Sequence, residues 1–67
     1  MVIVRLAFHN RTARDSNVIF VERAACEPIA RWYGAYSAGD DYSVFIDDEL
    51  QTIDIDGVLA TDPDNRL

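Results

Sequence analysis

The chain contains no lysine, one cysteine, one histidine, two prolines and three glycines in 67 residues. Each shortage excludes something. With Cys26 alone no intramolecular disulfide can form, so a domain this small must be held by its core or by association. A lone thiol fits a reducing compartment. Cys26 and His9 cannot by themselves supply the four ligands of a structural zinc site. The absence of lysine leaves six arginines as the cationic side chains, and the three that cluster, Arg5, Arg11 and Arg14, fall well short of a nucleic-acid footprint. No stretch approaches the ~20 apolar residues that a bilayer span requires. "MVIVRLAF" is apolar, but it is too short and too interrupted by Arg5 to read as a secretion signal. The expected setting is cytoplasmic, with no membrane contact.

What is plentiful is acid. The net charge is −6, and it is unevenly spread. Residues 1–39 hold five arginines against Asp15, Glu22 and Glu27, a balance of +2. Residues 40–67 hold Asp40, Asp41, Asp47, Asp48, Glu49, Asp54, Asp56, Asp62 and Asp64 against Arg66, a balance of −8. Such a half repels phosphate, so no direct nucleic-acid contact is expected. It attracts basic protein surfaces, or it serves only as a solvated face.

Periodicity points to a single α+β domain over residues 1–61, with a polar tail, 62–67, that frays. Val2, Val4, Leu6 and Phe8 alternate with Ile3, Arg5 and Ala7, the period of a half-buried strand. "HNRTARDSN" reads as a loop and "VIFVE" as a second strand. The period then changes. Ile29, Trp32, Tyr33 and Tyr36 fall at i, i+3, i+4 and i+7, which predicts a helix from about Pro28 to Ser37. A start one turn earlier, at Arg23–Ala25, fits as well. Pro28 suits the first turn, Gly39 suits the stop, and Glu27 and Arg31 sit at pairing distance.

"YSVFI" and "LQTIDI" return to strand character around the acidic turn "DDE". Asp56–Gly57 is a favoured type I′ dipeptide, after which "VLA" adds a short fifth strand. The order is β-β-α-β-β, with four strands or five in one antiparallel sheet and the helix on one face. The expected core is Val2, Val4, Leu6, Phe8, Val18, Phe20, Ile29, Trp32, Tyr33, Tyr36, Val44, Ile46, Ile53 and Ile55.

The candidate chemistry is thin. "TIDIDGV" places Asp54, Asp56 and Gly57 at the third, fifth and sixth positions of a helix-flanked calcium loop. The first position is then Thr52 and the twelfth, where a bidentate glutamate belongs, is Pro63. The stretch is better read as a strand running into a turn, and no metal or other cofactor is expected. Cys26 and His9 form no recognisable nucleophile–base motif. "RAACEP" suits a small buried thiol, and the chain is expected not to be an enzyme. Arg5, Arg11 and Arg14 make the one basic cluster, suited to holding the loop through Asp15 or the acidic turn. Trp32, Tyr33 and Tyr36 suit core packing better than base stacking.

If Asp54 and Asp56 share a strand face beside Asp47, Asp48 and Glu49, their carboxylates stand ~6.6–6.8 Å apart. Duplex DNA carries one charge per ~3.4 Å on each strand, so the row is commensurate with phosphates. In size, single-domain build and the acidic run "DDYSVFIDDELQTIDID", the chain resembles small DNA-mimic proteins of bacteriophages, among them anti-CRISPR proteins. The resemblance lies in size and charge, not in a motif. It implies a phage protein in the bacterial host cytosol that blocks the DNA site of a basic nucleic-acid-binding complex. The implied contacts are Asp40, Asp41, Asp47, Asp48, Glu49, Asp54 and Asp56. The alternative is a small accessory or regulatory interaction domain, homodimeric through an edge strand, with "MVIVRLAF" as the candidate edge.

Overall fold

The structure, a computed structural model, describes residues 1–12, 15–34 and 42–64. Its elements are β1 (Ile3–Asn10), β2 (Asp15–Glu22), α1 (Cys26–Tyr33), β3 (Tyr42–Ile46), β4 (Glu49–Ile53) and β5 (Leu59–Thr61). A single 3-10 turn, Arg23–Ala25, leads into α1. The fold is α+β, with one helix and a five-stranded sheet whose strand pairs are all antiparallel. It departs from a plain β-β-α-β-β order in one way. The fifth strand expected at "VLA" is present as Leu59–Thr61, so the departure lies in the order across the sheet, β2-β1-β3-β4-β5. The chain therefore crosses from the β2 edge to the far side of β1, with the helix in that connection.

β1 is the strand around which the core forms. Val4, Leu6 and Phe8 project from one face and are buried. Val44 and Ile46 of β3, Leu59 of β5, and Cys26 and Ala30 of α1 close over them. The buried stripe of α1 is Cys26, Ile29, Ala30 and Tyr33, spaced i, i+3, i+4, i+7. Its small members let the helix approach the sheet closely, and Tyr33 closes one end. The Tyr33 ring stacks on Phe8 at 4.4 Å between centroids and meets Tyr42 edge-on at 5.3 Å. Its hydroxyl accepts a hydrogen bond from the Asn17 side-chain amide.

Several expectations are corrected here. Trp32 is 86% exposed, because the inward stripe is turned one position from the one the large side chains suggest. The helix stops at Gly34, which takes a left-handed φ of 86°, rather than at Gly39. Gly34 falls inside the expected span of Pro28 to Ser37 and is in fact the cap. Tyr36, Ser37 and Gly39 lie outside the described residues. Val2, Val18, Phe20 and Ile55 are exposed rather than core. "MVIVRLAF" is not an edge, since β1 is paired on both sides. The first hairpin is longer than expected, with strands reaching Asn10 and starting again at Asp15.

The two later turns exchange roles. Asp47 and Asp48 have φ of 51° and 67°, between the paired residues Ile46 and Glu49. Two central residues with positive φ define the type I′ hairpin turn, so that turn is Asp47–Asp48. Asp56 is absent from the positive-φ set, and only Gly57 takes a left-handed φ, 81°, in the β4–β5 turn. There the Gly57 N–H donates to the Asp54 carbonyl at 3.0 Å.

Candidate functional site

The two sheet edges differ, and backbone direction shows how. The Arg5 carbonyl accepts the Asp47 N–H at 2.9 Å, and the Arg5 N–H donates to Asp47 Oδ1 at 2.9 Å. Both backbone groups of Arg5 therefore face β3. Alternation along β1 turns Val4, Leu6 and Phe8 toward β2. The Val2 carbonyl, which accepts the Arg23 N–H at 2.8 Å, keeps the same phase. The β2 residues opposite them are Val21, Ile19 and Asn17, whose backbone groups face inward. Those of Ser16, Val18 and Phe20 face outward, along the free side of β2.

At the other edge the outward groups of Leu59 are capped. The Asp62 N–H donates to the Leu50 carbonyl at 2.9 Å, so Asp62, and by alternation Ala60, face β4. Leu59 faces away. Its carbonyl accepts Arg23 Nη2 at 3.1 Å and its N–H donates to Glu27 Oε1 at 3.4 Å. Arg23 and Glu27 are themselves joined by two hydrogen bonds of 3.0 Å. An ion pair carried by the 3-10 turn and α1 thus takes the place of a sixth strand. Burial alone would raise the Glu27 carboxyl. The Arg23 hydrogen bond, the N–H donors of Glu27 itself and Leu59, and the Arg23 charge outweigh it and hold the pKa below the usual value.

Among the described residues β2 has no comparable cover. No side chain among them bonds the outward backbone groups of Val18 and Phe20. The strand is exposed on both faces apart from Val21. On the face away from the helix stand Val18, 41% exposed, and Phe20, 70% exposed. They continue a shallow apolar strip over Ala7 and Phe45 that ends at the Arg5–Asp48 ion pair. On the helix face Ile19, 40% exposed, opens a second groove with Ile29, Trp32 and Tyr33. Natural edges are protected by charge, proline, bulges or brevity. From Ser16 to Val21 there is no charge and no proline, and the register with β1 is unbroken.

The acids lie elsewhere. Asp47, Asp48 and Glu49 are exposed at the β3–β4 turn, and Asp54 and Asp56 are exposed at the β4–β5 turn. The two groups stand at opposite ends of the five-residue β4, roughly 14 Å apart at the strand rise. The expected row on one strand face does not form, because β4 ends at Ile53 and the chain turns at Asp54. Three of these acids have structural partners. The Asp47 side chain accepts the Arg5 N–H, Asp48 pairs with the Arg5 guanidinium, and Asp54 Oδ1 accepts the N–H groups of Asp56 and Val58 at 2.9 and 2.8 Å. Asp40 and Asp41 lie outside the described residues.

Other candidate chemistry is dispersed. Cys26 sits under the helix, where burial pushes its thiol up, with the Arg23 cation opposing in part and Glu27 adding to the rise. His9 belongs to the opposite face of β1, where Nδ1 lies 2.9 Å from Ser16 Oγ, so the two do not meet. Among the described residues no three His, Cys, Asp or Glu side chains are grouped to hold a metal ion. Arg11 is exposed and Arg14 lies outside the described residues. No described helix is long and apolar enough to cross a membrane.

Comparison with family models, with curated proteins and with solved structures returns no match. The site therefore rests on the chain's own geometry. The open edge escaped the sequence reading because "MVIVRLAF" is the more apolar strand. The signal available was "SNVIFV", where apolar residues occupy both parities and so cannot all face one core.

Proposed function

We propose that the chain is a non-catalytic protein-interaction domain that acts through the free edge of β2. The observation that carries this reading is the contrast between edges: Leu59 is capped by Arg23 and Glu27, whereas Val18 and Phe20 face outward uncovered. An unprotected strand of eight residues is a template for strand addition. Backbone bonds supply affinity there, and alternate side chains supply selectivity. The role is accessory or regulatory.

A panel of extended synthetic peptides tests the reading. Peptides that alternate apolar and polar residues should bind the wild type, and Val18→Lys and Phe20→Lys should abolish binding with the fold intact by circular dichroism. Binding unaffected by both substitutions would remove β2 from the account.

A second reading, the acidic inhibitor of a nucleic-acid-binding complex, is favoured by one observation. Asp47, Asp48, Glu49, Asp54 and Asp56 are all exposed, and all lie at the turns that join β3, β4 and β5. Two clusters rather than a row would engage two basic patches. Glu49 and Asp56 are the acids to reverse, since Asp47, Asp48 and Asp54 have structural partners. Glu49→Lys with Asp56→Lys should abolish salt-sensitive capture of a basic complex that duplex DNA displaces. Capture unchanged by the double reversal would eliminate this reading.

A further inference from the structure

The proposed interaction domain leaves its partner unnamed, and resting on that reading we infer that the partner at β2 is a second copy of this chain. The two copies pair β2 to β2 in antiparallel fashion about a two-fold axis at Ile19.

Charge permits a second copy at this edge. The chain carries −6 overall, so two copies repel wherever their acids meet. Ser16 to Val21 is free of charge. β2 is also separated from β5 by three intervening strands, which is roughly 19 Å at the usual strand spacing. Pairing through β2 thus brings together the neutral parts of two like-charged molecules and keeps the acidic β4–β5 turn far from the interface.

Parity and side chains then select the register. Outward residues must pair with outward residues if their N–H and C=O groups are to bond. Two central arrangements satisfy this. One sets Val18 opposite Val18 of the second copy and leaves Phe20 against Ser16. The other sets Val18 opposite Phe20, twice by symmetry, with Ile19 facing Ile19 at the axis. The second matches apolar with apolar at every central position, and brings Asp15 of each copy level with Arg23 of the other. An interface of this kind is isologous and closed, so it stops at two copies. The result is one ten-stranded sheet. On one face Val18 and Phe20 from both copies form a single strip. On the other the two Ile19–Trp32 grooves lie side by side, which gives the exposed Trp32 a place at the interface margin.

A specific interface removes ~1,200–2,000 Å² in total. Strand pairing alone supplies a part of this, and the side chains of Val18, Ile19, Phe20 and Trp32, all exposed in the single chain, supply apolar surface on both faces.

The test is made on the purified full chain. Light scattering should give a concentration-dependent rise from the 7.6 kDa of one chain to about twice that value. Phe20→Lys should weaken the association by about thirtyfold or more, as expected for a central anchor. Ile19→Cys should form a covalent dimer under copper–phenanthroline oxidation, because a facing non-bonded pair places its Cα atoms ~4.5 Å apart, within disulfide reach. Val18→Cys, set against Phe20, should cross-link poorly, and Cys26 is buried and stays out of the reaction. A monomeric mass at millimolar concentration, or cross-linking through Val18→Cys rather than Ile19→Cys, would overturn the inference. The peptide panel separates the two levels. A monomer that binds extended peptides through β2 loses the second-copy partner and keeps the interaction reading, whereas a monomer that binds none loses both.

Discussion

Arg23 reaches across 36 positions of sequence to donate a hydrogen bond to the carbonyl of Leu59 at 3.1 Å. With Glu27 on the N–H of the same residue, it closes one edge of the sheet and joins the start of the helix to the last strand. The ion pair is partly exposed, with side-chain exposures of 38% and 23%, so its Coulomb attraction is screened and contributes modestly. Its larger effect is to satisfy two backbone groups that would otherwise face solvent or a second chain.

The Glu27 carboxyl is held below its usual pKa, which fixes the sign of a pH effect. A depressed carboxylate stabilises the fold above its unfolded pKa, and that contribution is lost as pH falls through the folded value. Wild type should therefore lose stability as the solution is acidified below about pH 4.3, the ordinary glutamate value, and Glu27→Gln should lose less over the same range. At neutral pH Glu27→Gln should melt lower, by about 1 kcal/mol for a part-exposed hydrogen-bonded carboxylate. Denaturation followed at pH 7 and pH 3.5 measures both differences.

Trp32 and Tyr33 are adjacent and have opposite fates. Trp32→Ala should leave the melting temperature of the monomer within about 1–2 °C, because the side chain is 86% exposed. Tyr33→Ala removes the ring stacked on Phe8 and the acceptor for Asn17, and should cost about 2–3 kcal/mol. Thermal melts of both variants at low concentration make the comparison.

This pair also shows where the sequence was legible. The strands of β1, β3 and β4, the presence of one helix, and the apolar alternation of Val4, Leu6 and Phe8 all follow from period alone. The face of the helix did not, because large aromatic residues outweighed Cys26 and Ala30 in choosing the stripe, while the sheet requires small residues where the helix comes closest. The helix end was misplaced for a related reason. Gly34 can be an interior cost or a left-handed cap, and only the tertiary path decides. The acidic surface was legible as charge and the two turns were legible too, but not the place of Asp54, since the end of β4 at Ile53 depends on the Asp54 side chain bonding Asp56 and Val58.

Asp48 occupies the second position of a type I′ turn with φ of 67°, where a β-branched residue is strongly disfavoured. Asp48→Val should destabilise by about 1–2 kcal/mol. Asp48→Gly should be close to neutral, because relief of the left-handed backbone offsets the loss of the exposed pair with Arg5. Chemical denaturation of the two variants gives the ordering directly.

Asp54 answers for "TIDIDGV". Its Oδ1 accepts two backbone N–H groups in the β4–β5 turn, so Asp54→Ala should cost about 1–2 kcal/mol. Asp54→Asn, which keeps an acceptor oxygen, should cost less. Calcium at micromolar concentration should raise the melting temperature of neither wild type nor variant, and a rise of several degrees in wild type would identify a bound ion through mass action.

Residue-resolved amide hydrogen exchange across a dilution series tests the free edge most directly. The Leu59 amide, bonded to Glu27 within the chain, should hold the same protection at every concentration. The amides of Val18 and Phe20 should exchange freely in dilute solution and become protected together as concentration rises, while Ile19 and Val21, bonded to β1, change little. Val18 and Phe20 amides that exchange freely at every concentration and with every extended peptide, or that are already protected in the dilute monomer, would contradict an open and working β2 edge.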